Sequence, residues 1–89
     1  MKEKILKSIN DFVDTCYTMF KIGAGDFAEK NFPVLVNNVW DDSQSDEQNL
    51  INTKSIFNLN KNLNETQGNI SAAQIIDIFV KGWLDKITK

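Results

Sequence analysis

Cys16 is the one thiol in this sequence, and no histidine is present to activate it. A cysteine becomes a nucleophile when a neighbouring base or cation stabilises its thiolate. Cys16 instead falls in the middle of an apolar periodicity, where a small buried hydrophobe is expected. With one cysteine and no histidine, the usual nitrogen and sulfur ligands for zinc are missing. The commonest general acid–base is missing too. Every basic residue is a lysine, so bidentate clamping of phosphate or carboxylate by arginine is unavailable. The carboxylates Asp41, Asp42, Asp46 and Glu47 form an acidic run that could meet a cation or a basic protein surface. The run lacks the glycine and the twelve-residue ligand spacing of a calcium-binding loop, so a solvated loop is expected. Residues 23–25 are glycine-rich but lack the lysine and hydroxyl of a phosphate loop. The triplets beginning at Asn64 and Asn69 match glycosylation sequons. With no secretory leader in sight, they read as chance matches. No paired carboxylates stand in an apolar setting. The chain is therefore expected not to be an enzyme and to use no cofactor, metal or small-molecule substrate.

The elements that would position any site are helical in pattern. The strongest signal is residues 71–88. On a wheel of 100° per residue, Ala72, Ile76, Phe79, Trp83 and Ile87 form a stripe that Ile75, Ile78, Val80 and Leu84 widen. Only Gln74, Asp77, Lys81, Asp85 and Thr88 are cleanly polar. An ordinary amphipathic helix shows a stripe about 100° wide. This one covers roughly two-thirds of the circumference, so it needs neighbours on several sides, from its own chain or from another copy. Ser71 with Gln74 reads as a capping box for its start.

Residues 2–22 predict a first helix, with Ile5, Ile9, Phe12, Cys16 and Met19 on one face and Leu6, Val13, Tyr17 and Phe20 beside it. Residues 23–25 then read as the turn that ends it, with Asp26 as the N-cap of a short helical turn through Asn31. Pro33 is expected to open a new short helix over residues 33–40. Ser45 and Gln48 form a capping-box pattern after the acidic loop, with Asp46 and Glu47 in the first turn. A helix is expected over residues 46–58 and an irregular stretch beyond it. There the apolar residues fall on two opposed faces, and asparagines are dense. Gly68 is the pivot of a turn over residues 64–69.

Together these read as a single all-α domain over residues 1–89, a small bundle of about four helices whose first and last helices supply most of the core. The alternative is an α+β fold with strands near residues 33–39 and 57–63. At this length stability should be modest, about 5 kcal/mol or a little more. No apolar run approaches a transmembrane span of ~18 residues. The lone cysteine and the absence of a leader point to the cytoplasm. The abundance of lysine, asparagine and isoleucine is associated with AT-rich genomes, those of low-GC bacteria and their phages or plasmids.

For function, the reading is a non-catalytic protein–protein interaction module that self-associates, or that binds and inhibits or regulates another protein. The candidate interface is Ile75, Ile78, Gly82 and Trp83 on the last helix, with Trp40, Asp41 and Asp42 at the start of the acidic loop. A mid-helix glycine costs about 1 kcal/mol relative to alanine, and close approach of a partner at Gly82 would explain it. The alternative is a helix-turn-helix regulator with its turn at residues 23–25. A net charge of −2 weighs against nucleic acid as a partner.

Overall fold

A computed structural model describes residues 1–19 and 22–87. They form four helices packed as a small all-α bundle. Helix α1 is Lys2–Met19, α2 is Ile22–Val39 and α3 is Asp46–Thr66. Helix α4 is Ile70–Phe79. It runs on without a break into a π-helical turn, Val80–Leu84, and a last helical turn, Asp85–Ile87. Phe20, Lys21 and Thr88, which periodicity placed on the first and last helices, lie outside the described residues. Among the described residues there is no strand, so the α+β alternative falls, and residues 57–63 are helical.

Each helix places one phenylalanine at the centre. Phe12, Phe32, Phe57 and Phe79 are all buried to within 1 % of full exclusion. Phe79 lies 5.3 Å from Phe12, 5.0 Å from Phe32 and 5.3 Å from Phe57 between ring centroids. Ring pairs at such spacings and tilts add attraction beyond the burial of their area. Ile5, Ile9, Val13 and Cys16 from α1 and Ile76, Val80 and Leu84 from the last helix surround this cluster. The last helix touches all three others, so most of its wide apolar surface is covered within the chain.

Helix α2 corrects three expectations together. Residues 23–25 are not a turn, Asp26 is not a cap, and Pro33 does not start a helix; all lie inside α2. Pro33 has no N–H for the Glu29 carbonyl, a loss of about 3 kcal/mol in a helix interior. Phe32 and Val36 on either side of it are fully buried, and that packing holds the helix through the proline. Gly25 is needed for a different reason. A Cβ there would stand 2.8 Å from the Tyr17 ring, so the glycine lets Tyr17 of α1 lie flat on α2. The Tyr17 hydroxyl then donates to Asp26 Oδ1 at 2.6 Å.

That bond makes a measurable pH prediction. Asp26 accepts the hydroxyl proton, and the nearby negative charge opposes ionisation, so the phenol is pushed up to about 12. A raised folded-state value means the bond's contribution is complete below the unfolded value near 10 and is lost as pH rises through about 12. Tyr17 is the only tyrosine, so ultraviolet titration reads it directly. Asp26→Asn should bring its transition back toward the ordinary value; an unchanged transition would refute the assignment.

Helix α3 starts as expected. The Ser45 hydroxyl accepts from the Gln48 N–H at 3.1 Å. The Gln48 side chain meanwhile reaches along the helix, where its Nε2 donates to Asn52 Oδ1 at 3.0 Å. The helix continues past residue 58 to Thr66, where an irregular stretch was expected. Asn60 and Asn64 donate from their side chains to the carbonyls of Ile56 and Asn60, one turn back, so they do not compete with the helix as loop-forming asparagines would. Gly68, at φ +82°, ends it with paired bonds from Gly68 N–H to Glu65 and from Asn69 N–H to Asn64. Because this cap already reverses the chain, α4 begins at Ile70 with Asn69 as its N-cap. Ser71 lies within the first turn rather than before it.

Candidate functional site

The last helix crosses α1 in the opposite direction. Met19 lies near Ser71 at one end, and Lys4 lies near Lys86 at the other. Along this crossing the surface opens twice.

The first opening is an apolar groove of about 810 Å³ between α4 and the facing ends of α1 and α2. Its walls include Met19, Ala24, Phe27, Ala72, Ile75 and Ile78, and Phe12 and Cys16 are at its floor. Met19 is 75 % exposed and Ile78 47 % exposed, so the covering of the last helix is incomplete here. The volume lies within the range typical of ligand and peptide sites. Burial raises the Cys16 thiol above its ordinary value, which keeps the floor uncharged and the sulfur unreactive.

The second opening, of about 780 Å³, lies over the π-helical turn. Gly82, Trp83 and Ile87 form one wall, Ser8 and Asp11 the other, with Lys4, Lys7 and Lys86 around it. In the π turn the Asp85 N–H reaches back five residues to the Val80 carbonyl, instead of four. This shifts the residues after the turn relative to a regular helix; π turns recur at functional positions. The Trp83 ring lies against Phe12 at 5.7 Å in an edge-on arrangement. It is half-buried, held by the core on one side and open to the groove on the other. A Cβ at Gly82 would meet nothing within 4 Å beyond its chain neighbours and the backbone of its own helix. Nothing within the described chain therefore demands a glycine there.

Four of the seven expected interface residues are thus brought to one side of the last helix: Ile75 and Ile78 at the first groove, Gly82 and Trp83 at the second. The other three line neither. Trp40 is half-buried and packs against the core at the end of α2. Asp41 is committed to its own loop. Its carboxylate accepts from the Ser43 hydroxyl at 2.7 Å and the Ser43 N–H at 2.9 Å, which lower its pKa. Its backbone is clamped by Asn49, whose Oδ1 accepts from the Asp41 N–H and whose Nδ2 donates to the Asp41 carbonyl, both at 2.9 Å. Asp42 is exposed.

Ala24 and Phe27, the α2 wall of the groove, were not expected, because residues 23–25 read as a turn. The signal that could have found them is the spacing Ala24, Ala28, Phe32, Leu35, which is helical across the glycines and the proline. Asp77, on the polar edge of the last helix, is not a free acid. It is the centre of an ion-pair network with Lys81 at 3.1 Å and Lys61 of α3 at 3.3 Å, and these hold its pKa down. Among the described residues, no three acidic or thiol side chains lie close enough to share a metal ion. None of the described helices is long and apolar enough to cross a membrane.

No protein-family model matches this sequence, and no curated protein or solved structure is significantly similar to it.

Proposed function

We propose that this chain is a non-catalytic protein-binding module that receives the apolar face of a partner helix in the groove between α4 and the α1–α2 pair. The partner is a second copy or a different protein that the chain inhibits or regulates, in the cytoplasm. The observation that carries the reading is the groove itself: about 810 Å³, walled by Met19, Phe27, Ile75 and Ile78 and floored by an uncharged thiol. An amphipathic helix laid in an apolar groove is a recurring mode of recognition, with affinity coming from a few anchoring side chains. The alternative, a helix-turn-helix regulator, places its turn at residues 23–25; these are helical, and a net charge of −2 lends that reading no support.

The test combines light scattering over a range of concentrations with selection from a displayed library of amphipathic helices of about 16 residues. Ile78→Glu is the diagnostic variant. Ile78 is half exposed, so the substitution should change stability by no more than about 0.5 kcal/mol. It should weaken association by about tenfold or more, because a charge then faces the apolar anchors. A wild-type dimer that the variant turns into a monomer makes the partner a second copy. A monomer that retains library helices only without the substitution makes it a different protein. A monomer that retains none, or association indifferent to Ile78→Glu, overturns the reading.

A further inference from the structure

The two openings lie in line along one side of the last helix. Along that helix the residues facing them are Ile75, Ile78, Gly82 and Lys86, spaced three, four and four apart, so they share one side. From Ile75 to Lys86 this side runs about 16 Å, or three helical turns. Its two ends differ in character. The Ile75 end is apolar, as described. The Lys86 end carries Lys4, Lys7 and Lys86 against the single carboxylate of Asp11. Lys7 is paired with Asp11 at 3.1 Å, while Lys4 and Lys86 have no ion-pair partner among the described residues. A positive patch of this kind stands out on a chain of net charge −2. Between the two ends stands Gly82, with open space above it, next to the half-open face of Trp83.

We infer that the occupant of the groove is an acidic amphipathic helix of another protein, with its apolar anchors among Met19, Phe27, Ile75 and Ile78 and its carboxylates over Lys4 and Lys86. This rests on the reading of the groove as a helix-binding site and names the chemistry of the partner. The charge of the basic end is complementary to carboxylates, and the length of this side matches a helix of three to four turns. The open space at Gly82 allows the partner's backbone to pass close to the π turn between the two ends. Exposed charge pairs add little on their own, so the apolar end supplies most of the affinity and the basic end selects the sign of the partner's charge and its direction along the last helix.

The test uses the full chain and the same helix library, with apolar residues fixed at i, i+3, i+4 and i+7 and every other position random. Sequences retained by the wild-type protein are read for charge, then synthesised and titrated against wild type, Ile78→Glu and the double variant Lys4→Glu/Lys86→Glu. Both lysines are exposed, and thermal melting checks that the double variant stays folded. The expected result is an excess of aspartate and glutamate toward one end of the retained helices. Their affinity should fall about fivefold in the double variant, and added salt should lower the affinity of the wild type but not that of the double variant. Retained helices with no acidic excess, or with affinity unchanged in the double variant but lost in Ile78→Glu, overturn this inference and leave the groove reading standing. Failure to retain any helix, or retention indifferent to Ile78→Glu, overturns both.

Discussion

Phe79→Ala should leave the protein largely unfolded at room temperature. Phe79 is fully buried and, like Phe32, touches the central phenylalanines of all three other helices. Truncating a buried phenylalanine costs about 3–5 kcal/mol, from the lost transfer energy and from a cavity that the neighbours fill only partly. A domain of this size has about 5 kcal/mol or a little more to lose. Relaxation is difficult here, because Phe32 is already stacked on Phe12 and set edge-on to Phe57, and each of the three rings is fixed by a different helix. Urea denaturation followed by circular dichroism should show the midpoint moving to near zero denaturant, whereas Leu63→Ala, at an exposed position, should barely move it. A loss under about 1.5 kcal/mol for Phe79→Ala would mean that the four rings are not the centre of the core.

Asn49→Asp should have the second largest effect. Asn49 is 1 % exposed, and its amide matches the Asp41 peptide unit donor to acceptor and acceptor to donor. The clamp joins the loop after α2 to the first turn of α3. Changing the amide to a carboxylate sets an acceptor against the Asp41 carbonyl and places a charge where water is excluded. The cost should be about 2–4 kcal/mol at neutral pH. Asn49→Ala should cost less, about 1–2 kcal/mol, since Asp41 is exposed and water can replace part of what is lost. The pH dependence separates the two explanations. The new carboxyl would have a raised pKa in the folded state, so the deficit of Asn49→Asp should shrink as pH falls through that value and the protonated form can donate again. A deficit that does not change with pH would mean that shape rather than charge is responsible.

The helical bundle itself was legible in the chain's periodicity. Residues 2–19 carry Ile5, Ile9, Phe12 and Cys16 at helical spacing, and all four are buried. The Ser45 cap and the Gly68 pivot were legible too, because each depends on a local bond or a local φ that its residue type favours. The last helix showed an excess of apolar surface, and in the structure Ile75 and Ile78 of that surface line a groove. All of these depend on nearest neighbours along the chain, and the sequence records those directly.

What only the tertiary structure decided depends on contacts between distant segments. Residues 23–25 and Pro33 are read locally as a turn and a helix start, but burial of Ala28, Phe32 and Val36 among the other helices carries α2 through both. The buried face of α3 could not be found from hydrophobicity, because it is built from Asn49, Thr53 and Phe57 while Leu59 and Leu63 face outward. A polar side chain is buried when its hydrogen bonds are met, and the partner of Asn49 lies eight residues away across a loop. The groove is a space between helices, and its basic neighbour joins Lys4 to Lys86 from opposite ends of the chain. Hydrophobic periodicity shows which side of a helix seeks cover. How much of that side its neighbours reach depends on how the helices cross, and that is set by packing rather than by the sequence of any one of them.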